Sequence, residues 1–334
     1  MILKNTYVHV TAGIMAVVFI GYFIVMGFTP ERAAVGDDIK ITDTLDIDQV
    51  NRIISEKTQP ENSDKIYDFA FELRGGPLED ARQYLPFLDY LKRATGYDFR
   101  LHFFGKNQSI IDALGRGDID FAAIGAVALI KAQEKYNVIN LVRGKNKKNK
   151  TRYRAYIVAR KNSPLKKLSG LKGKRFAFGS KTSTQGHLIP RIMLRKAGLS
   201  IDDFSSYIYT GSHINCATAV IKGIADACGM QDTLALTLIN NGDLKKLDFS
   251  DTYPSSGIAA NGDLDQPVIR KVMDALLDFK PLGRDRKPLH NWDKTEMPNG
   301  FGVAVSSDYR ELHSWLDDLG LLNDKDHKTR RVVP

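Results

Sequence analysis

The chain has 334 residues, enough for roughly two domains at about 150 residues each. Apolar residues make up 43% and charged residues 26%, which excludes bulk disorder, collagen and a multi-span membrane protein. The formal net charge is +9, and two cysteines, Cys216 and Cys228, exclude a disulfide scaffold and a four-thiolate zinc site. Residues 1–64 hold five Lys/Arg and nine acids, so the surplus of cations belongs to residues 65–334. A basic body points to an anionic partner without saying which kind.

Residues 7–28, YVHVTAGIMAVVFIGYFIVMGF, carry no Lys, Arg, Asp or Glu. Twenty-two residues at 1.5 Å rise span about 33 Å, the thickness of a bilayer core. The flank Thr29-Pro30-Glu31-Arg32-Ala33-Ala34 is a poor cleavage site, so the expectation is an uncleaved anchor over residues 1–30 rather than a removed signal. Lys4 precedes the span, which leaves the N-terminus in the cytoplasm and the rest outside the inner membrane, periplasmic or extracellular. That compartment argues against a nucleic-acid partner. It also makes a Cys216–Cys228 disulfide chemically possible, the alternative being two buried thiols.

Residues 31–64 read as a tether, with a short helix within ITDTLDIDQVNRIISEK and a linker at QPENSDK. Strands are expected at 68–73, 98–104 and 118–125, and helices at 77–96, 108–117 and 126–136. This order predicts a mostly parallel sheet flanked by helices. TRYRAYIVAR (151–160) reads as a longer strand crossing between lobes. Further strands are expected at 174–180, 205–211 and 224–230, and helices at 186–198, 213–223 and 232–242. Pro190 should restrict or kink the first of these helices. Two amphipathic helices, 265–279 and 307–320, precede a basic tail. RGDIDFAAIG (116–125) echoes KGIADACGM (222–230): each follows a helix and places an Asp at the opening of a small-residue strand. Two α/β halves would leave a cleft at the strands' carboxyl ends.

The sharpest motif is Gly179-Ser180-Lys181-Thr182-Ser183-Thr184-Gln185-Gly186-His187-Leu188-Ile189-Pro190. Hydroxyls and glycines before a helix make an anion cradle, because a helix N-terminus offers unpaired N–H groups and a positive dipole end. The bland alternative is a set of caps for the helix itself. No Walker loop is present. Ser212-His213 repeats the arrangement after the next strand, and the Tyr153 phenol could reach the cleft. Ser183, His213 and Asp226 could suggest a hydrolase, but G-x-S-x-G is missing and Asp226 matches Asp120 or Asp118 as a strand opener. The His residues show no metal-ligand spacing. The cationic run 143–152 reads as a solvated loop or, less readily, a partner or lipid surface.

These residues resemble the phosphonate/phosphite/phosphate-binding receptors of ABC importers, which are type II periplasmic binding proteins. Ser183-Thr184-x-Gly186-x-x-x-Pro190 is similar to their oxyanion loop, and the resemblance covers roughly 66–310. It implies two α/β lobes with a ligand cleft, lobe 1 from 65–155 and 257–334 and lobe 2 from 156–256. It implies a binding protein rather than an enzyme, with no cofactor and no metal. It places Ser183 and Thr184 on the ligand oxygens, with His213, Tyr153 and, more loosely, Asn107; Ser180 and Thr182 are candidate ligand donors from the hydroxyl pattern of the loop. Gln185 falls where relatives carry a further serine. Aminoalkylphosphonate receptors hold the ligand's ammonium with two acids, and those positions here are Thr233 and Asn261, with Asp232 one residue away. The expectation is therefore an amine-free phosphorus oxyanion: phosphate, phosphite or a simple phosphonate. Its partner would be an ABC permease, or a membrane sensor protein.

Overall fold

A computed structural model describes residues 51–52, 65–72, 76–104 and 108–322. The expected anchor (7–28), most of the tether, Asn107 and the basic tail lie outside the described residues. Among the described residues, no helix is long and apolar enough to cross a membrane.

The elements run β1 (Ile66–Phe71), α1 (Pro77–Thr95), β2 (Asp98–Phe103), α2 (Ile110–Arg116), β3 (Phe121–Ile124), α3 (Ala126–Lys135), β4 (Val138–Gly144), β5 (Arg152–Tyr153) and β6 (Ala155–Arg160). There follow β7 (Arg175–Phe178), a single π-helical turn (Thr184–Leu188) continued by α4 (Ile189–Lys196), β8 (Ser206–Tyr209), α5 (His213–Ile221), β9 (Ala227–Gln231) and α6 (Asp232–Asn240). Then come β10 (Leu244–Phe249), β11 (Tyr253–Pro254), β12 (Gly257–Asn261), α7 (Gln266–Asp278), β13 (Phe301–Val303) and α8 (Arg310–Asp318).

Two sheets result. The first has the order β13-β4-β12-β3-β1-β2 and the second β10-β6-β9-β7-β8. Both are mixed rather than mostly parallel. β1 pairs in parallel with β2 and β3, but β12 and β4 run antiparallel to their neighbours. In the second sheet β7 is parallel to β8 and β9, while β6 and β10 are antiparallel. The expected single strand 151–160 is broken at Arg154. Its first part, β5, pairs with β11 in a separate two-stranded ribbon, and its second part enters the second sheet. The chain thus crosses between the sheets twice, side by side.

The sequence echo is a topological one. β3 and β9 occupy corresponding places in the two orders, and their opening aspartates perform one task. Asp120 Oδ2 accepts from the Asp68 N–H at 2.8 Å, and Asp226 Oδ2 accepts from the Arg175 N–H at 2.9 Å. Each fastens the start of a neighbouring strand. Asp226 therefore sits at the amino ends of the strands, opposite the anion loop.

Apolar alternation buries one face of the first sheet under α1 and α7. Phe71 stacks on Tyr84 with ring centroids 3.8 Å apart, and Phe87 stacks on Trp292 at 4.9 Å. Such aromatic pairs contribute beyond their buried area. Under the second sheet Cys216 (α5) and Cys228 (β9) are buried free thiols. The Cys216 thiol donates to the carbonyls of Ala177 and Gly229 at 3.4 and 3.3 Å.

Candidate functional site

A cleft of about 360 Å³ opens at the carboxyl ends of β3, β7, β8 and β9. Ligands in open α/β sheets bind at this end of the strands. Tyr153, Ser180, Thr182, Ser183, Thr184, Gln185 and His213 all line it. The hydroxyl-rich loop, Tyr153 and His213 therefore border one space.

Proline shapes the loop. Pro190 has no N–H, so it cannot bond to the carbonyl of Gly186 as an α-helix requires. That carbonyl instead accepts from the Gly179 N–H at 2.8 Å, tying the loop's two ends together. The backbone meanwhile widens into a π turn, with Leu188 N–H on Ser183 O at 3.1 Å. The helix thus starts two residues before the expected Gly186. Ser183 is its cap, its Oγ accepting from the Gly186 N–H at 2.9 Å. Ser212 caps α5 in the same way, through Asn215 N–H at 3.1 Å. Each hydroxyl accepts from its own helix and keeps its hydrogen for another acceptor, so the capping and the ligand-binding readings are compatible.

Gly186 must be glycine for close approach. An added Cβ would stand 2.9 Å from both the His213 Cε1 and the Ser183 Oγ, and 3.1 Å from the Gly179 Cα. The imidazole of His213 is thereby packed directly against the loop. His187, by contrast, faces inward: its Nδ1 meets the Lys181 carbonyl at 2.8 Å and its Nε2 the Tyr209 hydroxyl at 3.0 Å. It braces the loop from behind.

Thr184 joins the two halves of the site. Its Oγ1 accepts from the Val127 N–H, in the first turn of α3, at 3.0 Å. Tyr153 lies on the cleft floor, 5% exposed, and its hydroxyl makes no hydrogen bond of ordinary geometry among the described residues. Burial pushes its pKa well above the usual tyrosine value, and the charge of Glu296 pushes it further; the nearby hydroxyls of Thr184 and Ser256 oppose the rise. Tyr153 is thus a neutral donor at physiological pH.

Other expectations need correction. Gln185 lines the cleft, but its amide nitrogen donates to the Arg154 carbonyl at 2.6 Å and reaches Asp232 Oδ1 at 3.5 Å, so it ties the loop to the strand crossing. Asn261 is not on the cleft. It lies buried at the end of β12, donating to the Leu114 carbonyl at 2.8 Å and accepting from the Asp263 N–H at 2.8 Å. Asp232 is engaged by the N–H groups of Arg154 and Thr233, and burial raises its pKa. Thr233 does line the cleft. The run 143–152 is more than a solvated loop: Arg143 is buried on β4 and pairs with Asp308 at 2.8 Å, and Lys147 reaches the cleft rim.

The wall facing the oxyanion loop was not legible in the sequence. It comprises Glu72, Glu79, Asp80, Gln83, Ser256, Asn291, Lys294, Thr295 and Glu296. Ser256 Oγ donates to Glu296 Oε2 at 2.5 Å. Glu79 Oε1 accepts from the Asn291 amide at 2.8 Å, which lowers its pKa. The expected amine-free ligand rested on Thr233 and Asn261 standing where relatives have acids. Carboxylates enter the cleft from other elements.

A family model described as "ABC transporter, phosphonate, periplasmic substrate-binding protein" matches residues 74–309. The chain belongs to this family. Its members are substrate-binding proteins rather than enzymes, and the hydrolase alternative also fails on geometry, because Asp226 is at the opposite ends of the strands from Ser183. The chain is 25% identical over 182 residues to the "Probable ABC transporter phosphite binding protein PhnD1" of Prochlorococcus marinus. That match takes in 50% of this chain and 54% of the relative, so it spans about half the length of the curated protein. Among solved structures, PhnD1 from the same organism in complex with methylphosphonate superposes with a TM-score of 0.68 at 20% identity, covering 77% of this chain and 99% of that one. A binding protein component of an ABC phosphonate transporter from Pseudomonas aeruginosa gives 0.64 at 17% identity, covering 78% and 97%. The periplasmic aliphatic sulphonate binding protein SsuA of Escherichia coli gives 0.55 at 18%, covering 80% and 95%. The fold is thus the α/β fold of periplasmic binding proteins.

Proposed function

We propose that the chain is an extracytoplasmic receptor for a phosphorus oxyanion of the phosphonate type, which it delivers to an ABC permease. The observation that carries this reading is the convergence of Ser180, Thr182, Ser183, Thr184, His213 and Tyr153 on one cleft in a member of the phosphonate-binding family. Neutral hydroxyl and N–H donors suit an oxyanion that must be bound and then released.

In this reading lobe 1 is 65–155 with 257–334, lobe 2 is 156–256, and the paired crossings at β5 and β11 are the hinge. Closure would bury the ligand without covalent chemistry. Residues 7–28 would anchor the receptor beside its permease, with the folded part outside the inner membrane. Carbonate extraction of membranes tests the anchor: the full chain should stay in the pellet and a chain lacking residues 2–30 should not.

Titration calorimetry of the full chain tests the ligand. Methylphosphonate and ethylphosphonate should bind with Kd in the micromolar range or tighter, about −8 kcal/mol. Sulfate should bind more weakly. Absence of heat with every phosphonate would overturn the assignment.

A further inference from the structure

The first sheet begins at the pole opposite the cleft. β1 opens at Ile66, which pairs with Asp98 at the amino end of β2. The two strands run in parallel towards the cleft, which Glu72 lines just beyond the end of β1. A leash that joined the body only at residue 65 would pull from the far pole. That is the wrong end for a receptor whose ligand leaves through the cleft mouth.

One residue of the tether is fastened elsewhere. Asn51 holds the backbone of Phe103, the last residue of β2: its Nδ2 donates to the Phe103 carbonyl at 2.9 Å, and its Oδ1 accepts from the Phe103 N–H at 3.0 Å. β2 is the outermost strand of the first sheet among the described residues. An edge strand presents unpaired N–H and C=O groups. A primary amide offers both a donor and an acceptor, which match them. Asn51 thus pairs with the edge as a further strand would. It does so at the cleft end, because Phe103 stands beside Phe71 at the carboxyl ends of both strands. β2 is about 20 Å long at 3.3 Å per residue. The chain from Arg52 to Lys65 can reach about 43 Å, enough to return to the amino end.

We propose that Asn51 docks the tether on the free edge of β2, so that the chain preceding it leaves the folded body at the cleft end rather than at the start of β1. The occupant of this edge is the protein's own tether. Residues 29–50 are then the working leash, at most about 75 Å when extended, in place of about 120 Å for residues 29–64. The shorter leash raises the effective concentration of the receptor at a membrane partner roughly twofold. That the leash ends in a membrane rests on the reading of residues 7–28 given above; the docking on β2 does not.

Two measurements on the full chain in detergent micelles test the docking. In amide hydrogen exchange the Phe103 N–H should be protected. Asn51→Ala should speed its exchange at least tenfold and leave that of Phe69, in the neighbouring strand β1, unchanged. Dye pairs then read the direction. α1 starts at the cleft, where Glu79 and Asp80 line it, and runs to the opposite pole. Leu78 and Ala94, both exposed, stand about 24 Å apart along it. Cys216 and Cys228 are buried and will not take label. A dye on Arg52→Cys should transfer energy more efficiently to one on Leu78→Cys than to one on Ala94→Cys, and Asn51→Ala should remove that preference. Phe103 exchange that ignores Asn51→Ala, or an Arg52 dye nearer to Ala94 with Asn51 in place, overturns the docking. Both readouts are independent of where residues 7–28 lie, so carbonate extraction can refute the anchor and leave the docking standing.

Discussion

The Thr184 hydroxyl oxygen accepts a 3.0 Å hydrogen bond from the Val127 N–H. Thr184 belongs to the oxyanion loop after β7, whereas Val127 opens α3 beside the first sheet. One side chain therefore both lines the cleft and fastens its two halves. Thr184→Val keeps the shape but leaves a buried N–H without an acceptor, a loss of about 1–3 kcal/mol. The loss applies to the closed form, where water cannot replace the bond. Ligand affinity should fall roughly fivefold to 150-fold, and Thr184→Ser should restore most of it. Calorimetry gives the affinities, and small-angle scattering with ligand shows whether closure fails. Wild-type affinity in Thr184→Val would refute the latch.

Gly186→Ala should damage the same loop by overpacking. The new methyl would stand 2.9 Å from His213 and Ser183, and the Gly179 backbone on its third side cannot retreat without breaking the bond that ties the loop ends. Overpacking of this kind typically costs 1–3 kcal/mol. Denaturant unfolding should show that loss, and ligand binding should weaken with it. An alanine variant with unchanged stability and affinity would mean that the loop is looser than its contacts imply.

Much of this was legible in the chain. The Ser/Thr run between a strand and a helix pointed to a capped loop on the cleft, because glycines, hydroxyls and a helix start are local signals. The echo of Asp120 in Asp226 foretold two corresponding sheets. What stayed hidden was non-local. β4, β10, β12 and β13 went unassigned, and these are the strands that run antiparallel to neighbours distant in sequence. The acidic wall was hidden for the same reason: Glu79 lies in α1 and Glu296 follows Trp292, some 200 residues later, and only the aromatic core brings them together. Asn261 was misplaced because a resemblance of motifs does not say which way a strand-end side chain faces.

Gln185 offers a test of a structural role inside the motif. Its amide holds the Arg154 carbonyl at 2.6 Å, at the break between β5 and β6. Gln185→Ser installs the residue that the resemblance associates with relatives, but its hydroxyl is too short to reach that carbonyl. Stability should drop by about 1 kcal/mol as the half-buried acceptor loses its donor. Affinity for a phosphonate should change less than it does in Thr184→Val. A serine variant as stable as the wild type would show that the Arg154 carbonyl finds another donor.

Asp120 and Asp226 perform the same backbone task yet should titrate in opposite senses. The Arg175 guanidinium, 2.9 and 3.2 Å from Asp226, lowers the Asp226 pKa. Burial raises that of Asp120. A lowered carboxylate contributes stability that is present above the unfolded-state value, about 3.9, and is lost as pH falls through the folded value. Asp226→Asn should therefore cost up to about 1 kcal/mol at pH 7, discounted for the exposed Arg175, and progressively less as pH falls below about 3.9. A raised carboxylate works the other way: the wild type loses stability as pH rises through the folded Asp120 value. Asp120→Asn retains an oxygen for the Asp68 N–H and removes a buried charge, so it should gain on the wild type as pH rises from about 4 to 7. Urea midpoints measured across that range for both variants would decide the matter, and parallel pH profiles would show that the two aspartates are electrostatically alike after all.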